Sequence, residues 1–285
     1  MKYVYFGTPQ FAATILDELN ATGYLPTLIV TSPDKPAGRK LILTPSPVKK
    51  WATAHGIEVL TPEKLSDVRI TEKLKEINAE LFIVAAYGKI IPKSLLDLPS
   101  LGTINVHPSL LPLLRGPSPI ESAITSGLTE TGVTIMKLDE EMDHGPIIAQ
   151  EHFTEPLDPK NPPKGSALEE QLAHEGGKLL AHILPNWISG TITAIPQDHT
   201  KATYCKKITK EDGLIQLDAD PLVNISKIRA YDSWPGTYFF VEHNGKQIRV
   251  RITEAHIAGD KLSIDRVTPE GKKEMGYDDF KRGLK

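Results

Sequence analysis

The feature that most constrains this chain is the order of its apolar runs, in which short strand-like segments alternate with helix-length amphipathic ones. Tyr3–Phe6 is an aromatic and β-branched run that stops at Gly7, and Thr8 and Pro9 follow as an expected N-cap and first helical residue. Phe11, Ile15, Leu16 and Leu19 then recur at helical spacing, so this helix buries one face. Further buried strands are expected at Leu28–Val30, Leu81–Ala86 and Thr103–Val106. Helical spacing fills Val48–His55 and Ile70–Ile77 between them. Strands that alternate with helices pair in parallel, which predicts a Rossmann-like α/β layer: a mostly parallel sheet flanked by helices.

Beyond that point the pattern changes. A helix is expected near Pro119–Ser126, strands at Val133–Lys137 and Pro146–Phe153, and a helix reaching Trp187 that opens on a Ser166/Glu169 capping box. Residues from 206 onward alternate apolar and polar in short runs, and Asn244-Gly245 sits between Tyr238–Glu242 and Gln247–Thr253 as a hairpin turn. At 285 residues the chain exceeds one domain of typical size. We therefore read a catalytic domain over 1–188, a linker over 189–205 and a smaller β-rich domain over 206–285.

Charge and cysteine content bound the function. The net charge of −3 excludes bulk electrostatic binding of nucleic acid, but 206–285 carries 15 Lys or Arg against 13 Asp or Glu. Residues 33–50 are more basic still, with Lys35, Arg39, Lys40, Lys49 and Lys50 against Asp34 alone. That stretch is a candidate phosphate-contacting patch or a solvated loop. The single Cys205 has no partner for a disulfide and no metal-ligand spacing. No apolar run approaches the ~18 residues of a membrane span, so a cytoplasmic protein without metal or membrane partner is expected.

Open parallel sheets bind ligands beyond the carboxyl ends of their strands, and the chain leaves Thr103–Val106 through His107-Pro108-Ser109-Leu110-Leu111-Pro112. Asn105 and His107, two apart on an extended segment, project to one side, where an amide donor and an imidazole can act on one group. The second candidate is Leu138-Asp139-Glu140-Glu141-Met142-Asp143-His144-Gly145-Pro146. Carboxylates so close repel one another, which favours a base or proton relay; an exposed acidic turn has the same composition.

Asn105–Pro112, then Arg115-Gly116, then Met142–Pro146 occur in an order and at an interval that resemble the folate-dependent formyltransferase superfamily. Within it, Phe6–Ala12, Ser32–Arg39, Pro45–Lys49, Ala85–Pro92, Ala202–Tyr204, Ile228–Tyr231, Trp234–Gly236 and Gly271–Lys273 are similar to the branch that acts on methionyl-tRNA. The resemblance runs nearly end to end. It implies Asn105, His107 and Asp143 as the catalytic group, and folate contacts from Ser109, Leu110, Leu111 and Pro112 and from Tyr87, Gly88, Lys89, Ile90 and Ile91. It also implies 10-formyltetrahydrofolate as donor, initiator methionyl-tRNA as acceptor, tRNA contacts at Arg39 and Lys40, a monomer, and a C-terminal β-barrel of OB-like type.

Two departures stand out. Only His256–Thr268 separates the hairpin from the Gly271-Lys272-Lys273 tail, shorter than in the family, and Arg39-Lys40-Leu41-Ile42-Leu43 is more apolar than its counterparts. Glycinamide ribonucleotide formyltransferases carry a Gly/Ser-rich phosphate turn after the first strand, which Gly7–Phe11 lacks. Sugar-nucleotide formyltransferases are disfavoured by Pro33–Arg39 and Trp234–Gly236. A dinucleotide-dependent dehydrogenase would need G-x-G-x-x-G, which is absent, and a non-catalytic RNA-binding protein would have no use for Asn105, His107 and Asp143 together.

Overall fold

The computed structural model describes residues 1–38 and 41–284; Arg39 and Lys40, the candidate tRNA contacts, lie outside the described residues. In chain order the elements begin β1 (Tyr3–Gly7), α1 (Gln10–Ala21), β2 (Leu28–Val30), β3 (Lys35–Ala37), β4 (Ile42–Thr44), α2 (Pro47–Ala54) and β5 (Val59–Leu60). They continue α3 (Val68–Ile77), β6 (Leu81–Ala85), α4 (Lys93–Leu96), β7 (Thr103–His107), α5 (Pro119–Thr125), β8 (Gly132–Lys137), β9 (Ile147–His152) and α6 (Gly165–Ile188). The remainder is α7 (Pro221–Ala230), β10 (Thr237–His243), β11 (Lys246–Ala258), β12 (Lys261–Pro269), β13 (Met275–Gly276) and α8 (Tyr277–Arg282).

Two compact units divide the chain, one of Met1–Gly116, Gly132–Phe153 and Glu170–Tyr204, the other of Pro117–Thr131, Thr154–Glu169 and Cys205–Lys285. The first holds a seven-stranded sheet of order β5-β2-β1-β6-β7-β8-β9. Its strands pair in parallel as far as β7, after which β8 and β9 run antiparallel. The sheet is thus the mostly parallel, helix-flanked layer that the sequence predicts. The chain passes from the β2 side of β1 to the β6 side, so the topological switch lies between β1 and β6.

Local chemistry accounts for most of these elements and corrects two expectations. Phe11, Ile15, Leu16 and Leu19 are all buried on α1, as their spacing requires. The cap of α1 is Pro9, not Thr8: the Pro9 carbonyl accepts from the Ala12 and Ala13 N–H groups. The Thr8 hydroxyl is taken instead by the Tyr87 carbonyl at 3.3 Å and by Ser32 Oγ at 3.2 Å. Similarly, Ser166 lies inside α6, and its N–H and hydroxyl both donate to the Asp232 carboxylate, so no capping box forms.

Close approach sets α6 against the sheet. A Cβ at Gly176 would lie 2.8 Å from Val106 Cγ1 and 3.1 Å from Val133 Cγ1, so only glycine lets the helix seat on β7 and β8. Val106 therefore faces α6, and its neighbours Asn105 and His107 face the opposite side of the sheet. Residues 189–204 run within this unit: Ile195 pairs with Ile147 of β9, and Tyr204 pairs with Arg115.

The second unit carries a four-stranded antiparallel sheet of order β10-β11-β12-β13. Its core gathers Ile215, Ile225, Ile228, Phe239, Val250, Ile252, Val267 and Phe280. The β10–β11 hairpin turns at Asn244 (φ 52°) and Gly245 (φ 72°), the left-handed pair that an Asn-Gly turn supplies. Burial pushes the Glu121 and Glu169 carboxyls up, helped at Glu121 by the nearby Asp232 charge and at Glu169 by those of Glu121 and Asp232. Among the described residues no helix is long and apolar enough to cross a membrane.

Candidate active site

The sheet places a polar residue where its own pattern calls for an apolar one. Register aligns Val30, Phe6, Val84, Asn105 and Met136 as one row across β2, β1, β6, β7 and β8. Four of the five are aliphatic, aromatic or thioether side chains; the fifth is an amide, only 9% exposed. No hydrogen bond reaches the Asn105 side chain among the described residues. An amide in this row contributes less to the core than an aliphatic side chain would, and it leaves a donor and an acceptor free for a ligand.

His107, the last residue of β7, lies on the same face and is 4% exposed. Its Nε2 is 3.1 Å from the Leu114 carbonyl, and an acceptor there requires that Nε2 carry the hydrogen. The other nitrogen, Nδ1, faces Asp143 Oδ1 at 3.7 Å, in ion-pair range but beyond a hydrogen bond. Asp143 itself adopts a left-handed conformation (φ 50°), and its Oδ2 accepts the Gly116 N–H at 2.8 Å. The structure thus brings His107 and Asp143 together as their motifs imply, with Asn105 two residues away on the same strand.

The acidic loop divides into two parts. Asp139 points outward and pairs with His144 Nδ1 at 2.7 Å, while Asp143 turns inward to His107. Composition alone does not separate these roles. The left-handed backbone at Asp143 and the glycine two residues on do so: a Cβ at Gly145 would lie 1.9 Å from the Lys137 carbonyl.

The loop after β7 is held rigidly. Ser109 is buried, its hydroxyl donating to the Leu113 carbonyl at 2.6 Å, and its own carbonyl accepts from Thr134 Oγ1 at 2.6 Å. Leu111 is buried; its N–H donates to the same Thr134 oxygen at 3.1 Å, and its carbonyl accepts from Gln150 Nε2 at 2.7 Å. Leu110 is half-buried, and Pro112 follows a cis peptide. Thr134 and Gln150 thus frame the candidate folate loop from β8 and β9, a role no local sequence signal marks.

The loop after β6 is more divided. Tyr87 and Ile91 are buried in the core beside Phe6 and Val84, Gly88 has φ 78°, and Lys89 Nζ bonds the Pro62 and Glu63 carbonyls at 2.7 and 2.9 Å. Ile90 is 89% exposed. The Tyr87 hydroxyl is buried without a partner among the described residues, and burial pushes its pKa up to about 12, so at neutral pH it is a donor awaiting an acceptor. Thr8 ties this loop to the end of β1, at the switch point where ligands of such sheets bind.

The basic stretch also resolves in part. Lys49 is paired with Asp34 at 2.8 Å, which removes both from any free patch. Leu41, Ile42 and Leu43 at the β3–β4 turn are 72%, 62% and 67% exposed, so they do not anchor the loop to the protein.

Known proteins resemble this chain over nearly its whole length. Residues 1–183 match the model of the formyl transferase family, and residues 207–261 match the model of the formyl transferase C-terminal domain. A methionyl-tRNA formyltransferase of Chloroflexus aggregans is 44% identical over 88% of this chain and 79% of its own length. Another, of Herpetosiphon aurantiacus, is 39% identical over 100% and 98%. Among solved structures, an N-formyltransferase of Helicobacter canadensis in complex with folinic acid and dTDP-3-aminofucose superposes with a TM-score of 0.63 at 18% identity, covering 97% of this chain and 98% of that one.

Proposed function

Because the chain belongs to the methionyl-tRNA formyltransferase family, we propose that Asn105, His107 and Asp143 transfer a formyl group from 10-formyltetrahydrofolate to the amino group of initiator methionyl-tRNA. The products are N-formylmethionyl-tRNA and tetrahydrofolate. The observation that carries this reading is the unpartnered Asn105 amide in an apolar row, beside a histidine whose Nδ1 faces a carboxylate without bonding it. The donor supplies the formyl carbon and the nitrogen that leaves.

The protein's own part is to stabilise charge and move a proton. When the methionyl amine adds to the formyl carbon, negative charge grows on the formyl oxygen. Asn105 Nδ2 and protonated His107 Nδ1 donate to it, and the loss of one such donor costs about 3–4 kcal/mol. Because His107 Nε2 is already bound to Leu114, Nδ1 is the nitrogen left for this task. Asp143 balances the imidazolium and accepts the proton released by the amine, which passes to the folate nitrogen as its bond to carbon breaks.

Folate fits the orphaned polar groups. The Tyr87 hydroxyl is buried without a protein partner among the described residues, the Asn105 amide makes no side-chain hydrogen bond among them, and a pterin edge with its amide and ring nitrogens complements both. The loops Tyr87–Ile91 and Ser109–Pro112 follow neighbouring parallel strands, β6 and β7, and so leave the sheet side by side at its carboxyl edge. In this reading Arg39 and Lys40 meet acceptor-stem phosphates beside the exposed Leu41–Leu43. The protein acts in the cytoplasm as a monomer, at translation initiation, and residues 206–285 form a domain that makes a second tRNA contact.

The test is to change His107 and Asp143 to Ala separately and measure formyl transfer alongside the folded-state spectrum. Each variant should lose at least about two orders of magnitude in kcat with its fold retained. Near-normal turnover in either would remove the residue from the mechanism.

A further inference from the structure

Two residues, Leu114 and Gly116, touch the catalytic group, and Arg115 stands between them in the chain. The Leu114 carbonyl accepts from His107 Nε2 at 3.1 Å, and the Gly116 N–H donates to Asp143 Oδ2 at 2.8 Å. Arg115 lies between them with 1% exposure, too buried to meet a substrate directly. Its guanidinium donates through Nε and Nη2 to one oxygen, Gln197 Oε1, at 3.1 and 2.6 Å.

Gln197, 5% exposed, turns its other end on the catalytic loop. Its Nε2 donates to the backbone carbonyls of Asp143 and Gly145 at 2.9 and 2.7 Å. The orientation of this amide is not arbitrary: a guanidinium can only donate, so the oxygen must face Arg115 and both N–H groups must face the loop. The same guanidinium donates to His199 Nδ1 at 2.8 Å, which places the lone pair of that ring on Nδ1. The His199 ring stacks on His144, centroids 4.1 Å apart and planes within 2°. The loop 143–145 is therefore gripped on two carbonyls and on the ring beside them, around a residue with left-handed φ that the chain would not hold unaided.

Resting on the catalytic reading above, we infer that Gln197, oriented by Arg115, is a positioning residue that holds Asp143 against His107. It touches no reacting atom. Its effect runs through the backbone of Asp143, which predicts a loss in the chemical step and none in substrate binding, because a displacement of about 1 Å in such a group costs about 100-fold in rate.

Gln197→Glu and Gln197→Leu test this, each alone and combined with Asp143→Ala, in steady-state formylation of methionyl-tRNA with each substrate varied in turn. Gln197→Glu keeps the volume and the Arg115 contact but removes both donors. It should lower kcat by about 10- to 100-fold with KM for either substrate within about twofold. In the Asp143→Ala background the same change should cost less than about twofold, since the residue it positions is gone. Wild-type kcat in Gln197→Glu overturns the inference, as does a loss that persists undiminished in the Asp143→Ala background. Should Gln197→Leu fail to fold, the Gln197→Glu cycle alone decides. A fully active Asp143→Ala would instead bring down the catalytic assignment, and this inference with it.

Discussion

A site of this kind spends stability on chemistry, and single residues show where. Asn105 interrupts the row Val30, Phe6, Val84, Met136, so Asn105→Leu should leave thermal stability unchanged or higher while kcat falls at least about 100-fold. Calorimetry and turnover on one preparation check both halves, and a drop in stability would mean that the amide has a protein partner after all. Glu121 offers a different trade. Burial raises its folded-state pKa, so its contribution to stability is complete below the ordinary carboxylate range and is lost as pH rises through the folded value. Glu121→Gln should therefore raise the melting temperature at pH 7.5 by something on the order of 2 °C and not at pH 4, as pH-dependent melting curves would show. Strand alternation alone puts Asn105 and His107 on one face, but only the family resemblance singles out Asp143 from the other carboxylates of its loop, since what turns it inward is a left-handed backbone. Gln197 escapes both: its partner Arg115 is 82 residues away, and so distant a contact leaves no local pattern.

At the scale of elements, periodicity is a good guide to where strands and helices lie and a poor one to how they end. The runs in β1, β2, β6 and β7 and the amphipathic faces of α1, α2 and α3 read directly, since burial on a sheet imposes spacing. The caps of α1 and α6 do not, because Thr8 and Ser166 are claimed by Tyr87 and Asp232, both far along the chain. Gly176 carries the element-scale prediction. Alanine there gains up to about 1 kcal/mol of helix propensity, but its methyl meets two stiff valines, and overpacking of this kind costs about 1–3 kcal/mol. Gly176→Ala should thus destabilise the protein and, since Val106 separates Asn105 from His107, lower kcat as well. Denaturant titration with turnover measures both, and a stabilised, fully active variant would show that α6 yields rather than β7.

Across the whole molecule the chain weaves more than its composition suggests. A boundary at residue 188 assigns Pro117–Thr131 and Thr154–Glu169 to the first domain, yet by contact both pack within the second unit with Cys205–Lys285. Sequence signals report local conformation, and which body a helix such as α5 joins depends on partners a hundred residues on. Charge acts at this scale too. If Arg39 and Lys40 neutralise acceptor-stem phosphates, replacing both with Ala should raise KM for tRNA and flatten its log–log salt dependence by up to about two units, because fewer counterions are released on binding. KM for the folate donor should not move. The most direct measurement of the central claim uses the unaltered protein: 10-formyltetrahydrofolate labelled in its formyl group, offered with initiator methionyl-tRNA or with an amino-sugar nucleotide. Label should appear on the methionyl-tRNA and not on the sugar; transfer to the sugar alone, or to neither, would contradict the account.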